Sequence, residues 1–402
     1  MNPRPKILML TTQLGYGGAE TSFIRLANFL AQTMDVTVAL FTSDYGAGAY
    51  NKGHEPLSAS IVLLDRVGAP RAKRWLRRIT GLRKLKAQHD ATISFLSGPN
   101  LVNVLAGHNR RTIVSLRGSR HYDPVAPRMQ RSLFRYLLDP IIFHLAAHIV
   151  PVSPGLRYEI GGGKARQKKI TPISPFIETA SIAGRLTAPL PENFEALRGQ
   201  KIIVAVGRLS VEKGFQHLIR VFAKLAARQP GTKLLLVGDG PMMEALRAQC
   251  HALGLAIDDY SAGVTAVIFA GYQARVLPLM ALGTLYAMTS ATEGFPSVLL
   301  ESMAAGVLVI AADTPWGVRS ILSDDAPTAN PYPTTQATET PYGVLMPRID
   351  APEYEPAWVE ALQHYLNAPP HNGQKAHARV AEYDIARIGA KWRQLLETVV
   401  SP

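Results

Sequence analysis

The sequence predicts an α/β protein of two similar doubly wound domains. Three observations carry this expectation. Short apolar runs of strand type alternate with amphipathic helical runs, the pattern of parallel sheets covered by helices. The strand series occurs twice, once from residue 6 and again from residue 201. A chain of 402 residues is also too long for one ordinary core.

Residues 6–12 read as a buried parallel strand. A glycine-rich turn follows at 13–20, then an amphipathic helix at 21–32 with Phe23, Leu26, Ala27 and Leu30 on one face. Residues 36–41 form the next strand, which completes a βαβ unit. The turn lacks Gly-x-Gly-x-x-Gly and a Walker lysine, so dinucleotide and ATP binding are not supported. Gly17 and Gly18 read as a tight turn.

Residues 42–60 are loop-rich, and 61–64 form a short strand. Residues 71–86 carry eight basic residues and no acid. Trp75, Leu76, Ile79, Leu82 and Leu85 recur at helical spacing. Two readings stand: a solvated face packed on its domain, or a basic amphipathic helix at an anionic membrane through Arg74, Trp75, Arg77 and Arg78. Strands at 91–96, 112–116 and 148–153 alternate with helices at 100–106 and 133–147. Ligands bind at the carboxyl ends of such strands, which places Arg117 and His121 in a candidate ligand site. Residues 168–178 read as the last strand and exit, and 179–199 as a linker.

The second domain opens with a strand at 201–210, then a helix running to 228, and further strands at 234–241, 265–271 and 284–288. Residues 323–343 read as a loop insertion and 376–400 as a terminal helix. The expected domains are therefore 1–180, 200–375 and a terminal segment 376–402.

Bulk properties narrow the function. Composition is that of an ordinary globular protein, 47% hydrophobic and 18% charged. One cysteine, Cys250, excludes a disulfide framework and a cysteine zinc cluster. No apolar stretch is long enough to span a bilayer, and the N-terminal run lacks a signal pattern, so the cytoplasm is expected. The net charge of +13 is uneven. Residues 1–185 hold 26 Lys and Arg against 10 Asp and Glu, while the remainder is slightly acidic. An anionic partner for the first half follows, but without interleaved aromatics or a binding module a nucleic acid does not. His89, His108, His144 and His148 have no ligand spacing, and the Asp258–Asp259 pair lies in a polar loop, so no metal site is expected.

The chemistry concentrates in Glu293-Gly-Phe-Pro-Ser-Val-Leu-Leu-Glu301. Gly294 and Pro296 signal a turn, and an apolar helix follows, closed by Gly306. The amides of Ser297, Val298 and Leu299 are expected to be unpaired donors that attract phosphate. Glu293 and Glu301 bracket this helix end. Ionised carboxylates accept hydrogen bonds from hydroxyls, so a phosphate flanked by polyols, as in a nucleotide-sugar, satisfies the whole set. The alternative is a helix with a surface glutamate at each end. Arg208 and Lys213, ending a strand and opening a helix, offer two charges for a diphosphate.

This run resembles the Glu-x7-Glu pattern of the retaining family-4 glycosyltransferases, over residues 292–306 and on through Val309-Ile-Ala-Ala-Asp313. Gly-Arg-Leu-x3-Lys-Gly likewise resembles the family's phosphate-binding arginine and lysine. The resemblance implies the GT-B fold: two Rossmann-like domains facing across a cleft, with a C-terminal helix returning to the first. It implies a hexose or N-acetylhexosamine moved with retention from a UDP- or GDP-sugar to a saccharide or lipid-linked acceptor in surface polysaccharide synthesis, without a metal or other cofactor. Within it Glu293 lies near the donor sugar with Arg208 and Lys213 on the diphosphate, the Gly294 and Phe295 amides hold sugar hydroxyls, and Glu301 takes the ribose. Gly17 and Gly18 approach the donor phosphate. Many members carry a histidine after the strand at 112–116, where this chain has Arg117-Gly-Ser-Arg-His121. Lipid-linked acceptors place such enzymes at the inner membrane face. The alternative is a non-catalytic protein, or another sugar-phosphate-binding protein of the same shape such as an epimerase or phosphorylase.

Overall fold

The computed structural model describes residues 4–15, 17–42, 56–65, 71–368 and 373–400. The chain divides into two compact units. Unit 1 comprises Met1–His121, Pro127–Phe176 and Ile385–Pro402; unit 2 comprises Tyr122–Ala126 and Ile177–Asp384.

Unit 1 is built on six parallel strands: β1 (Lys6–Thr11), β2 (Asp35–Leu40), β3 (Ser60–Leu63), β4 (Ala91–Phe95), β5 (Thr112–Leu116) and β6 (His148–Pro151). Their order, β3-β2-β1-β4-β5-β6, is the doubly wound order, with a reversal beside β1. The strands are apolar on both faces because helices cover both. Helix α1 (Gly18–Ala31) connects β1 to β2. Helices α2 (Arg71–Lys86), α3 (Ser97–Leu105), and α4 (Arg128–Leu133) with α5 (Asp139–Leu145) make the returning crossovers. Right-handed crossovers put α1 on one face of the sheet and α2, α3 and α5 together on the other. Residues 168–178 form no strand of their own: isolated bridges join Ile170 to Ile149 and Ile177 to Asp384.

Unit 2 has an eight-stranded sheet: β7 (Ile202–Val206), β8 (Lys233–Val237), β9 (Ala256–Ile257), β10 (Ala266–Gly271), β11 (Leu285–Met288), β12 (Leu308–Ala312), β13 (Thr338–Thr340) and β14 (Gly343–Met346). The order is β13-β14-β12-β11-β7-β8-β10-β9, with only β13 antiparallel. Its core joins Phe222, Leu234, Ile310 and Trp358.

Three sequence expectations change. Residues 179–199 are not an extended linker, since they hold helices Thr179–Leu186 and Glu192–Glu195 within unit 2. The insertion at 323–343 contributes an edge strand, β13. The terminal segment is two helices: Gly373–Glu382 belongs to unit 2, and only Ile385–Val400 packs on unit 1. There Gly389 lies so close to the Phe29 ring that an added Cβ would come within 2.2 Å of it. Trp392, Leu395 and Leu396 of this helix are buried.

Candidate functional site

In unit 2, the exits of β7, β8 and β11 meet through backbone contacts too close for side chains. A Cβ on Gly238 (φ +142°) would lie 1.9 Å from the Gly207 carbonyl oxygen, and one on Gly240 2.4 Å from that of Leu209. The short turn Val211–Lys213 ends at Gly214, φ +72°, where a Cβ would strike the Thr289 carbonyl oxygen at 2.2 Å. Two bonds lock this turn to the exit of β11: Thr289 Oγ1 donates to the Lys213 carbonyl at 2.9 Å, and the Ala291 amide donates to the Glu212 carbonyl at 2.8 Å.

That clip delivers Lys213 to Glu293. Its Nζ donates to Glu293 Oε1 at 2.6 Å, with both side chains largely buried. Burial alone would lower the ammonium pKa, but the Glu293 carboxylate, with Glu212 behind it, raises it above the ordinary lysine value. Ser210 Oγ donates to Glu212 at 2.6 Å and fixes that second carboxylate. Arg208 is exposed at the exit of β7, with no ion-pair partner for its side chain among the described residues. The buried Tyr286 hydroxyl donates to the Val206 carbonyl at 3.3 Å. Burial raises its phenol pKa, and the Glu293 and Glu301 carboxylates add to the rise.

The helix after Glu293 spans Ser297–Ala304. Pro296 is its N-cap rather than part of its first turn. The Leu299 amide, expected to be unpaired, donates to the Pro296 carbonyl at 3.0 Å. No acceptor for the amides of Gly294, Phe295, Ser297 and Val298 occurs among the described residues. Trp316 bridges to Glu293, and a Cβ on Gly317 would sit 2.5 Å from the Gly294 carbonyl oxygen, so this backbone braces the loop that follows Glu293. The Phe295 ring packs on Tyr383 at 5.2 Å between centroids. Lys213, Glu293, Gly294, Phe295, Ser297, Val298 and Glu301 thus belong to one unit and one group of strand exits, together with Arg208.

The remaining candidates lie in unit 1. Gly17 is the N-cap of α1, and its carbonyl accepts from the Thr21 amide and hydroxyl. Gly18 opens that helix. Arg117 stacks on Phe95 at 4.4 Å and lines a small cavity with Arg25, Phe176 and Trp392. Burial lowers its pKa to about 9, against the opposing pull of Glu20. Its Nε is buried without a hydrogen-bond partner. His121 is placed between two carboxylates, 3.8 Å from Asp139 and 3.6 Å from Glu159, with Arg120 on the same Asp139. The basic helix divides: Arg78 is committed to Asp65 through two bonds of 2.8 and 2.5 Å and stacks on Phe41, whereas Trp75 and Arg77 are exposed.

Asp258 and Asp259 are structural: Asp258 pairs with Arg247 and accepts the Phe269 amide, and Asp259 caps the Ser261 turn. No group of three His, Cys, Asp or Glu able to hold a metal ion occurs among the described residues. Sequence reasoning missed Gly214, Thr289, Ser210 and Gly317. Only the Glu212-Lys213-Gly214 triplet carried a local signal, a turn glycine beside the cation.

Residues 190–338 match the family model for glycosyl transferases group 1, and residues 16–181 that for Glycosyltransferase Family 4. A lipopolysaccharide core biosynthesis glycosyltransferase of Rhizobium meliloti is 30% identical over 73% of this chain and 75% of its own length. A Campylobacter jejuni N-acetylgalactosaminyltransferase whose name specifies a diphospho-undecaprenol acceptor is 27% identical over 59% of this chain. The match spans 61% of that protein, and only 35% of an uncharacterized glycosyltransferase of Haemophilus influenzae that is 33% identical over 33% of this chain. Among solved structures, Anabaena HepE with UDP and glucose superposes with a TM-score of 0.72 at 17% identity, covering 98% of this chain and all of that one. The lipopolysaccharide outer core galactosyltransferase WaaB gives 0.68 at 17%, covering 98% of this chain and 99% of the other. These likenesses identify the fold as GT-B.

Proposed function

We propose that this chain, which belongs to glycosyltransferase family 4, transfers a hexose or N-acetylhexosamine from a nucleoside-diphosphate sugar to a saccharide or lipid-linked acceptor, with retention at the anomeric carbon. The observation that carries the reading is the Lys213–Glu293 pair at 2.6 Å, set beside the unpaired amides of Gly294 and Phe295. The core and undecaprenol-linked activities in the names of its relatives support a place in bacterial surface glycan synthesis.

Each group has a distinct task in this reading. Breaking the glycosidic bond leaves negative charge on the departing diphosphate. Arg208 and Lys213 meet that charge, so these two cations take the role a metal ion plays elsewhere, and no cofactor is invoked. The Ser297 and Val298 amides add helix N-terminal donors. Fixed donors aimed at developing charge typically contribute about 3 kcal/mol each. Glu293 accepts donor-sugar hydroxyls while keeping Lys213 charged, and Glu301 accepts those of the ribose. The departing phosphate oxygen takes the acceptor proton on the same face of the sugar, so neither glutamate is assigned as general base. Gly17 and Gly18 approach the donor phosphate, and Arg117 and His121 stand toward the acceptor. The protein works at the inner membrane face, where Arg74, Trp75 and Arg77 meet anionic lipid.

A panel of UDP- and GDP-sugars, read by saturation-transfer NMR and donor hydrolysis, tests this. One nucleotide-sugar should bind and be hydrolysed or transferred, and Glu293→Ala should abolish turnover. Epimerised sugar still attached to nucleotide would instead indicate an epimerase. A panel in which no donor binds overturns the reading.

A further inference from the structure

Helix α4, a π-helical turn Phe134–Leu138 and α5 run in succession from Arg128 to Leu145. One face is used for folding: Ile142 and Phe143 are buried with Val114 and Ile149. Another face is apolar yet uncovered. Met129, Leu133, Tyr136, Leu137 and Ile141 recur at helical spacing and are 84, 47, 73, 53 and 36% exposed. A folded chain rarely leaves such a contiguous apolar stripe in water without a partner.

The charges around the stripe discriminate between partners. Arg128, Arg131 and Arg135 lie along the same run, whose single acid, Asp139, is buried and held by Arg120. A two-fold contact would place this run against itself, and the run offers no exposed acid to meet its arginines. A bilayer with anionic headgroups complements both the apolar stripe and its cations. The layer agrees with this choice. Helix α2 packs on α3 and α3 on α5, so the exposed Trp75 and Leu76 of α2, with Lys73 and Arg77, belong to the same helical face of the sheet.

We propose that the Met129–Ile141 stripe inserts into the headgroup boundary of an anionic bilayer, with the exposed Arg128 and Arg135 on lipid phosphates. This deepens the lipid-linked acceptor reading and rests on it for its purpose. It moves the principal anchor from α2, the basic helix evident in the sequence, to α4 and α5.

Flotation with vesicles of phosphatidylcholine, with or without phosphatidylglycerol, tests the surface. Wild type should float with the anionic vesicles at low salt and release as salt rises. Each cation near an anionic leaflet contributes about fivefold, so Arg128→Gln with Arg135→Gln should reduce partitioning about twenty-five-fold. Met129→Ser with Leu133→Ser and Leu137→Ser should abolish flotation. Both variants should keep the wild-type melting profile and the wild-type UDP signal in saturation-transfer NMR. Undiminished flotation of either variant, or no flotation of wild type, overturns the proposal. So does a wild-type dimer in lipid-free buffer that the triple variant dissociates, because that identifies a second copy as the occupant. Flotation with no nucleotide signal removes the donor reading and leaves the surface intact.

Discussion

Lys213 is positioned by groups from three stretches of unit 2: Gly214 beside it, Thr289 and Ala291 beneath, and Glu293 at its ammonium. Replacing Lys213 or Arg208 by alanine should weaken UDP binding measurably in titration calorimetry, and equal affinities in wild type and both variants would exclude the diphosphate role. The glycine can be tested by comparison. Gly214 and Gly306 share a left-handed backbone, φ +72° and +76°, but a Cβ at Gly306 meets open space whereas one at Gly214 meets the Thr289 carbonyl. Gly306→Ala should cost about 1 kcal/mol. Gly214→Ala should cost more and also weaken UDP binding, because the clip must open. Lys86 gives a pH test. It is buried, and its Nζ donates to the Asn103 carbonyl, Asn103 Oδ1 and Thr112 Oγ1 at 2.8, 2.9 and 2.7 Å. Burial lowers its pKa to about 7, while it keeps its ordinary 10.5 unfolded. The unfolded chain therefore binds more protons between these values, so stability should rise with pH across that window. Urea midpoints should follow that slope in wild type, and Lys86→Met should flatten it.

At the scale of elements, the central strands and α2 were legible because periodicity and burial agree there. Strands β5 and β11 read from the sequence almost to the residue, since short β-branched and apolar runs between polar turns admit one interpretation. The failures came where partners are distant in sequence. Helix α2 advertised eight cations, but Arg78 turns inward to Asp65 and Lys86 is enclosed by α3 and β5. Charge counting cannot separate inward from outward cations. Arg78→Ala should destabilise the protein by about 1 kcal/mol, because the part-buried Asp65 is left without its partner. Arg77→Ala should leave the denaturation midpoint unchanged. The α4–α5 stripe was concealed for a related reason: an apolar helix reads as core whether one face or two are apolar. In the site, Glu293 and Lys213 were visible as motifs, but the close approaches of Gly214 and Gly317 depend on backbone brought from another strand.

For the molecule as a whole, the two compact units predict two thermal transitions. The nucleoside diphosphate of the donor, UDP or GDP, should raise the transition of unit 2, which holds Lys213 and Glu293. A chain ending at Asp384 should lose stability in unit 1, because Ile388, Trp392 and Leu396 no longer cover Phe29 and its neighbours. A single transition shifted equally by both manipulations would contradict this. The chain order of the units also imposes a schedule on synthesis. The bulk of unit 1 has been made by Phe176, but its last helix starts at Ile385, beyond the main run of unit 2. At the usual pace of translation, those intervening residues take about 10–40 s. For that interval the nascent first domain lacks its closing helix, leaving a greasy surface open to trigger factors, proteases and neighbouring chains until the final residues emerge.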